Sequence, residues 1–195
     1  MLRRTALAAC LSIALVGAAD AQVAPPPAPR VTLETTMGVI TITLDPVGAP
    51  LTTAHMLRLF RSGHYRGAAI FRVEPGFLIQ LGDLDANLNY RNPPPGRVAL
   101  ETANTRHARG TVALAREDDP GSGKSSFYFD LAANRHLNAT PGAPPNTTGY
   151  TVFGRVTAGM DVLDRMAAVA LDPARGPYPG KLPKTPIVVT AVKVE

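Results

Sequence analysis

The chain has 195 residues, a formal net charge of +5 and one cysteine, Cys10. That length allows a domain to bury an adequate core without cross-links. We interpret the segment that contains Cys10 below as a signal that is removed. The mature chain would then contain no cysteine, so we expect neither disulfides nor thiol chemistry. The arginines of its loop-rich region are not interleaved with aromatic residues, which argues against nucleic acid as a partner.

The N-terminal segment has the three parts of a secretory signal. It begins Met-Leu-Arg-Arg, continues with an apolar run over residues 6–18, and ends on small residues before Gln22. We therefore predict that residues 1–21 are a signal peptide and that the mature protein is periplasmic or secreted. The apolar run is too short to span a bilayer comfortably, so we expect no stable membrane insertion. An alternative is lipoprotein processing at Cys10, which would leave almost no apolar core before the cut.

Residues 22–29 are rich in proline and predict a stiff linker of polyproline type. One domain follows over residues 30–195, because no second change of composition and no internal repeat is visible. The domain begins with a predicted β-hairpin over residues 31–44, in which apolar residues alternate with polar ones around a turn at Met37-Gly38. We expect the domain to be a monomer.

Two helices are predicted in this domain. The first begins at Pro50, which suits the first turn of a helix, and ends before Ser62-Gly63. His55 and His64 flank its apolar stripe, and we expect both on the surface. The second covers residues 159–166. Short strands are predicted at 70–83, 111–116, 127–131, 150–156 and 187–194, with coil over 172–186. Many short strands with two well-spaced helices fit a closed antiparallel β-barrel capped by helices.

Residues 70–83 contain the strongest functional signal. They place Arg72 in an apolar run, follow it with a Pro75-Gly76 turn, and then bring Phe77 and Gln80. Because alternate residues of a strand share a face, we predict that Arg72, Phe77 and Gln80 meet in one concave site. A buried guanidinium is costly without a purpose. The alternative is an edge-strand arginine held in an ion pair.

The sequence argues against three other functional sites, namely a calcium loop, a phosphate-binding loop and a hydrolase serine. Residues 83–89 alternate acidic and amide groups as a calcium loop does, but Leu88 stands where the turn glycine is needed. Residues 121–126 resemble the tail of a phosphate-binding loop, but a strand pattern follows them where a helix is required. Ser125 and Ser126 lack the G-x-S-x-G context of a hydrolase. We therefore predict neither a metal nor a cofactor.

Several motifs together resemble the cyclophilins, the peptidyl-prolyl cis-trans isomerases. The central motif combines Arg72, Pro75-Gly76-Phe77, Gln80 and Gly82-Asp83. Matching segments follow at 110–116, 125–129, 134–137 and 149–156, and the resemblance covers essentially the whole domain. It implies a mainly β fold, a closed eight-stranded antiparallel β-barrel capped by two α-helices, with the site in a groove on the outside.

The resemblance also implies roles for individual residues. Arg72 would be the catalytic residue, and proline-containing polypeptides would be the substrates. The substrate-binding residues would be Phe77, Leu78, Gln80, Ala115, Arg116, Ser126, Tyr128, His136, Leu137 and Tyr150. Two of them depart from the family, since Ser126 stands where many members carry Gln, and His136 where an aromatic residue, often Trp, is common. These departures keep open an alternative function, a weakly active or non-catalytic peptide-binding, chaperone-like module on the same fold.

Overall fold

The computed structural model describes residues 27–93, 95–103 and 106–195. The predicted signal peptide, residues 1–21, and residues 22–26 of the predicted linker lie outside the described residues. Within the described ranges, no helix combines the length and the apolar character that a bilayer span needs.

The described residues form a β-rich domain with two helices and one short 3₁₀ turn. The strands are β1 (Arg30–Thr35), β2 (Gly38–Leu44), β3 (Ala68–Glu74), β4 (Leu78–Asp85), β5 (Thr111–Leu114), β6 (Phe127–Asp130), β7 (Val152–Ala158), β8 (Leu171–Asp172), β9 (Leu182–Pro183) and β10 (Val189–Val194). The helices are α1 (Pro50–Arg61) and α2 (Met160–Ala167), and Arg135–Leu137 forms the 3₁₀ turn. The hairpin and both helices agree with the pattern of the sequence.

Eight of the strands form one antiparallel sheet in the order β10-β1-β2-β7-β5-β6-β4-β3. The two edges of this sheet meet. Ala69 of β3 pairs with Val188 just before β10, and the N–H of Ile70 donates to the carbonyl oxygen of Ile187 at 2.9 Å. The sheet is therefore a nearly closed barrel with two helices, which confirms the predicted fold class.

Large apolar side chains fill the barrel. Three fully buried phenylalanines occupy its interior, with the ring centroid of Phe127 lying 5.5 Å from that of Phe129 and 6.0 Å from that of Phe153. The inward-facing residues of the β1–β2 hairpin pack against the same cluster. A small barrel filled in this way has no interior space for a ligand, so a binding site must lie on its outer face.

The two helices complete this core. Helix α1 begins at Pro50, and its first N–H groups, on Leu51 and Thr52, donate to the carboxylate of Glu101 at 3.0 and 2.8 Å. An acidic residue that is remote in sequence therefore caps the positive end of the helix. Helix α2 contributes Val162, Leu163 and Met166 to the same cluster.

The expectation that His55 lies on the surface was wrong. His55 is buried, and one of its ring nitrogens lies 2.5 Å from the carbonyl oxygen of Lys124. The reason is helical spacing, because His55 follows the buried Thr52 by one turn and precedes the buried Leu59 by another. The other histidine, His64, is half-buried.

The segment predicted as coil over residues 172–186 contains part of a short ribbon, in which β8 pairs with β9. The N–H of Val73 in β3 donates to the carbonyl oxygen of Lys181 at 2.8 Å, so the end of this segment is held against β3. The contact places Tyr178 over the outer face of β3, where the ring meets Arg72.

Candidate active site

The outer face of the barrel carries a row of side chains that crosses five neighbouring strands. Arg72 of β3 pairs with Gln80 of β4, and Gln80 pairs with Tyr128 of β6. Tyr128 pairs with Ala113 of β5, which pairs with Val152 of β7. Residues that lie directly opposite one another in antiparallel strands point to the same side of the sheet. The register of the barrel therefore assembles this site.

One part of the row is an apolar pocket separate from the barrel core. Its floor consists of the buried side chains of Leu78, Ala113, Tyr128 and Val152. Four half-buried residues pack around that floor, namely Phe77, Ala115, Leu137 and Tyr150. Six of the ten residues to which the resemblance assigned substrate binding therefore lie in this pocket. The rings of Tyr128 and Tyr150 meet edge to face, with centroids 5.9 Å apart.

Arg72 lies beside this pocket and is held from three directions. Its Nε donates to Oε1 of Glu74 at 2.7 Å, and its Nη1 donates to Oε1 of Gln80 at 3.2 Å. Its guanidinium carbon lies 5.8 Å from the centroid of the Phe77 ring and 4.7 Å from that of Tyr178. An arginine has five N–H donors, so donors on Nη1 and Nη2 remain for a substrate.

The ion-pair interpretation of Arg72 is also correct in part. Nη2 of Arg72 lies 2.5 Å from Oε1 of Glu74, and the other carboxylate oxygen accepts a hydrogen bond from Nζ of Lys181 at 3.0 Å. Partial burial acts to raise the pKa of Glu74, but the hydrogen bonds and charges of Lys181 and Arg72 outweigh that effect and lower it. The ion pair orients the guanidinium towards the pocket, so the two interpretations are compatible.

Gln80 connects Arg72 to β6. While its Oε1 accepts from Arg72, its Nε2 donates to Oγ of Ser126 at 3.0 Å, and that hydroxyl donates to the carbonyl oxygen of Leu81 at 3.2 Å. Both side chains are buried. Ser126, one of the two departures from the family, therefore fixes the amide of Gln80, and one N–H of that amide remains for a substrate.

A polar network lies behind the pocket floor. Nδ1 of the buried His107 is 2.9 Å from Oδ2 of Asp130, and Nδ2 of Asn134 donates to Oδ1 of the same carboxylate at 2.7 Å. The ring of His107 lies nearly parallel to that of Tyr128, with centroids 6.0 Å apart. Burial raises the pKa of Tyr128 well above its usual value, with Asp130 adding to the shift. The Tyr128 hydroxyl has no hydrogen-bond partner among the described residues.

The rim of the pocket is formed by residues of two loops. The guanidinium carbon of Arg116 lies 4.8 Å from the centroid of the Tyr150 ring, and its Nε donates to the carbonyl oxygen of Gly149 at 2.9 Å. On the opposite side, the exposed ring of His136 stacks on Phe77 with centroids 5.3 Å apart. Of the two departures from the family, Ser126 thus contacts Gln80 within the site, and His136 lies at the rim against Phe77.

A second depression, of about 210 Å³, adjoins the pocket. Four residues of the predicted site line it, namely Gln80, Ala115, Arg116 and Ser126. The exposed rings of Tyr90 and Tyr178 stand at its edge. Among the described residues, no group of three or more His, Asp or Glu side chains is placed to hold a metal ion.

Comparison with known proteins agrees with this geometry. Residues 30–194 match the family model described as "Cyclophilin type peptidyl-prolyl cis-trans isomerase/CLD". The chain belongs to the cyclophilin family. A peptidyl-prolyl cis-trans isomerase, cyp18, of Streptomyces antibioticus is 35% identical over 164 residues, which cover 84% of this chain and 97% of the relative. Peptidyl-prolyl cis-trans isomerase A of Dickeya dadantii is 34% identical over 168 residues, which cover 85% of this chain and 84% of that protein.

Solved cyclophilin structures share the fold. A cyclophilin from Cryptosporidium parvum superposes with a TM-score of 0.68 at 19% identity, covering 85% of this chain and 96% of the other. The cyclophilin AquaCyp293 of Hirschia baltica gives a TM-score of 0.62 at 24% identity, covering 84% of this chain and 73% of the other. At these identities the likeness establishes the barrel architecture alone.

Three neighbours of the site were not anticipated from the sequence of this cyclophilin. Glu74 follows Arg72 by two positions on the same strand face, so the two-residue period of a strand could have indicated it. Tyr178 and His107 come from loops far away in sequence, and no local pattern indicates their contact with the site. Their positions depend on how the loops fold back onto the barrel.

Proposed function

We propose that this cyclophilin catalyses cis-trans isomerisation of Xaa-Pro bonds at the apolar pocket on the outer face of the barrel. We also propose that it acts on polypeptides exported from the cytoplasm. The observation that carries the proposal is the position of Arg72, which is oriented beside an apolar pocket with N–H donors unused. That arrangement combines a site for a proline ring with an N–H donor for the proline nitrogen, which regains a lone pair when the bond twists.

The chemistry follows from the electronic structure of the amide bond. Resonance gives rotation about the peptide bond a barrier of about 18–20 kcal/mol. When the bond is twisted by a quarter turn, this resonance is lost and the proline nitrogen regains a lone pair. A guanidinium N–H of Arg72 bonds that lone pair only in the twisted state, which is preferential binding of the transition state. Arg72 retains its proton throughout, so no covalent intermediate is involved.

The other residues hold the substrate while the bond rotates. The pocket of Leu78, Tyr128 and Val152 surrounds the proline ring with apolar surface, which also favours the less polar twisted amide. The free N–H of Gln80 binds a substrate carbonyl, because Ser126 and Arg72 already fix the rest of that amide. Binding on both sides of the Xaa-Pro bond positions it for rotation about a single axis.

The proposal of exported substrates rests on the N-terminal segment. Its basic start, apolar run and small residues before Gln22 are typical of a signal peptide. Uncatalysed isomerisation takes tens of seconds or more, which is slow enough to limit folding. We infer that the mature protein is periplasmic or secreted and acts on newly exported chains.

A second candidate function is a peptide-binding, chaperone-like module of low activity. The observation that favours it is the exposed imidazole of His136 at the rim, where the family commonly has a larger aromatic residue. The two candidates differ in turnover, since a binding module would hold proline peptides without accelerating their isomerisation.

A protease-coupled isomerisation assay on Xaa-Pro peptides tests the proposed function. Wild type is expected to accelerate the reaction, and Arg72→Ala to lower kcat/KM by about 10²–10³, the usual effect of losing one donor to a transition state. The thermal midpoint should change little, because Arg72 is at an edge of the site and outside the main core. A loss of activity that parallels a loss of folded protein would instead assign Arg72 a structural role.

A further inference from the structure

A groove that is larger than the second depression lies on the outer face of the barrel, beside the apolar pocket that we propose binds proline. We call that apolar pocket the proline pocket. The volume of the groove is about 860 Å³. Its floor is formed by β7 with the adjoining parts of β2 and β5, and its walls by residues 45–47 and 106–108 together with Ala133, Arg135 and Asn138. None of the residues to which the resemblance assigned a role lines this groove, so its shape and charge need a separate explanation.

The groove is basic. Arg106, Arg135 and Arg155 line it and are all exposed. None of their guanidinium groups is in an ion pair with a residue in the described part of the chain. The one acidic residue among the described lining residues is Asp45, and Oδ1 of its carboxylate accepts a hydrogen bond from the N–H of Gly48 at 2.8 Å. Three cations thus face the groove with one acidic group near them.

The register of the sheet connects this groove to the proline pocket. Arg155 of β7 pairs with Thr43 of β2 on one side and with Thr111 of β5 on the other. Thr111 lies two residues before Ala113 of the pocket floor, so both point outward. Val152 belongs to the pocket floor and also lines the groove. The two features are therefore neighbouring strips of one surface.

We propose that this groove binds an acidic segment of a polypeptide. Carboxylates match the planar fork of arginine, and one exposed pair contributes only about 0–1 kcal/mol, so several arginines in one concave surface are needed for useful affinity. A polypeptide fits the lining better than a nucleic acid does, because the described lining residues include no Phe, Tyr or Trp to stack with bases.

The continuity of the two strips extends the proposal, and this extension rests on the proposed function. A client chain with acidic residues near a proline occupies the groove and the pocket together. The second contact is then intramolecular, so it adds affinity without altering the catalytic residues. The groove thereby selects clients that carry negative charge near their prolines.

Direct binding is measured by fluorescence anisotropy with a proline-free peptide rich in Asp and Glu. The test variant combines Arg106→Gln, Arg135→Gln and Arg155→Gln. The matched control combines Arg61→Gln, Arg175→Gln and Lys184→Gln, three exposed residues outside the groove, and loses the same net charge. We expect wild type and control to bind alike, and the test variant to bind about tenfold more weakly, as three exposed ion pairs together predict.

Two results would overturn the assignment. Equal weakening in both triple variants would show that overall charge, and not the groove, attracts the peptide. Tighter binding of a single-stranded oligonucleotide than of the acidic peptide, lost in the test variant alone, would identify the groove as a nucleic-acid site.

A separate experiment tests whether one client chain occupies the groove and the proline pocket together. In the isomerisation assay, the test variant should raise KM for a proline peptide with an acidic extension and leave kcat unchanged. For a short uncharged proline peptide both constants should match those of wild type. An unchanged KM for the extended peptide would separate the groove from the pocket. If wild type showed no isomerase activity, the proposed function would fail, but the anisotropy result would still decide whether the groove binds acidic peptides.

Discussion

Glu74 holds its carboxylate between two cations, Arg72 and Lys181. Because the side chain fixes the orientation of the guanidinium, we predict that Glu74→Gln lowers kcat/KM about tenfold, a typical effect of losing one charge-assisted hydrogen bond. The protease-coupled assay measures this change. Unaltered activity in the variant would mean that Gln80 and the aromatic contacts orient Arg72 without help.

The same carboxylate gives an expected pH dependence. The pKa of Glu74 is lowered, so its ion pair persists as the pH falls through the ordinary glutamate value of about 4.3 and is lost only at lower pH. The activity of wild type should therefore stay constant as the pH falls to about 4.3 and should decline below that pH. Lys181→Gln removes one cation and should move the decline to higher pH, whereas Glu74→Gln should remove it. Circular dichroism at each pH serves as the control for acid unfolding.

The rim residue His136 determines how much aromatic surface a ligand meets. Its exposed ring stacks on Phe77. A larger aromatic ring at this position adds contact worth about 0.5–1.5 kcal/mol, so His136→Trp should bind a proline peptide several-fold more tightly, with His136→Phe intermediate. Titration calorimetry on the three proteins measures the affinities. Identical binding in all three would show that bound peptide does not reach His136.

At the scale of elements, the approach of β4 to β6 depends on Gly82. Its φ is +125°, and a Cβ atom there would lie 2.6 Å from the carbonyl oxygen of Ser125. Gly82→Ala should destabilise the protein by more than the roughly 1–2 kcal/mol of backbone strain alone, and should lower kcat because Ser126 is displaced from Gln80. Urea denaturation and the isomerisation assay provide the two readouts.

Gly142→Ala is the matched control for that substitution. Gly142 also has a positive φ, +79°, but apart from Gly142 and its chain neighbours no described residue has an atom within 4 Å of the position that its Cβ would occupy. It should therefore show the backbone cost without the steric one. Equal destabilisation in the two variants would contradict the idea that close packing of β4 on β6 requires glycine.

Elements that follow from local patterns were predictable, and contacts between distant loops were not. The β1–β2 hairpin and helix α1 follow from alternation, helical spacing and Pro50. The grouping of Arg72, Phe77 and Gln80 follows from a strand-turn-strand pattern, and the structure shows it. The short β8–β9 ribbon was missed because two-residue strands have no period to detect. Tyr178 was missed with it, since its place over Arg72 depends on that ribbon.

At the scale of the whole molecule, the N-terminal segment determines where the protein is processed and released. We predict that the exported protein begins at Gln22 and carries no lipid, because the apolar run before that residue has the length of a signal core. Intact-mass spectrometry of the protein recovered outside the cytoplasm measures this. A diacylglyceryl mass attached to Cys10 would support lipoprotein processing, and retention of residues 1–21 would contradict cleavage.

The row of side chains that crosses five strands also has a consequence for the folding of newly made copies of the protein. Arg72 and Val152, at its two ends, lie far apart in sequence and come to the same face of the sheet only after the barrel has formed. An unfinished, nascent chain therefore has its arginine but no pocket, and it is unable to act on its own 19 prolines. Completed copies do not share that restriction. Maturation of the population would then be autocatalytic, with a lag for the first molecules and faster folding once finished molecules have accumulated.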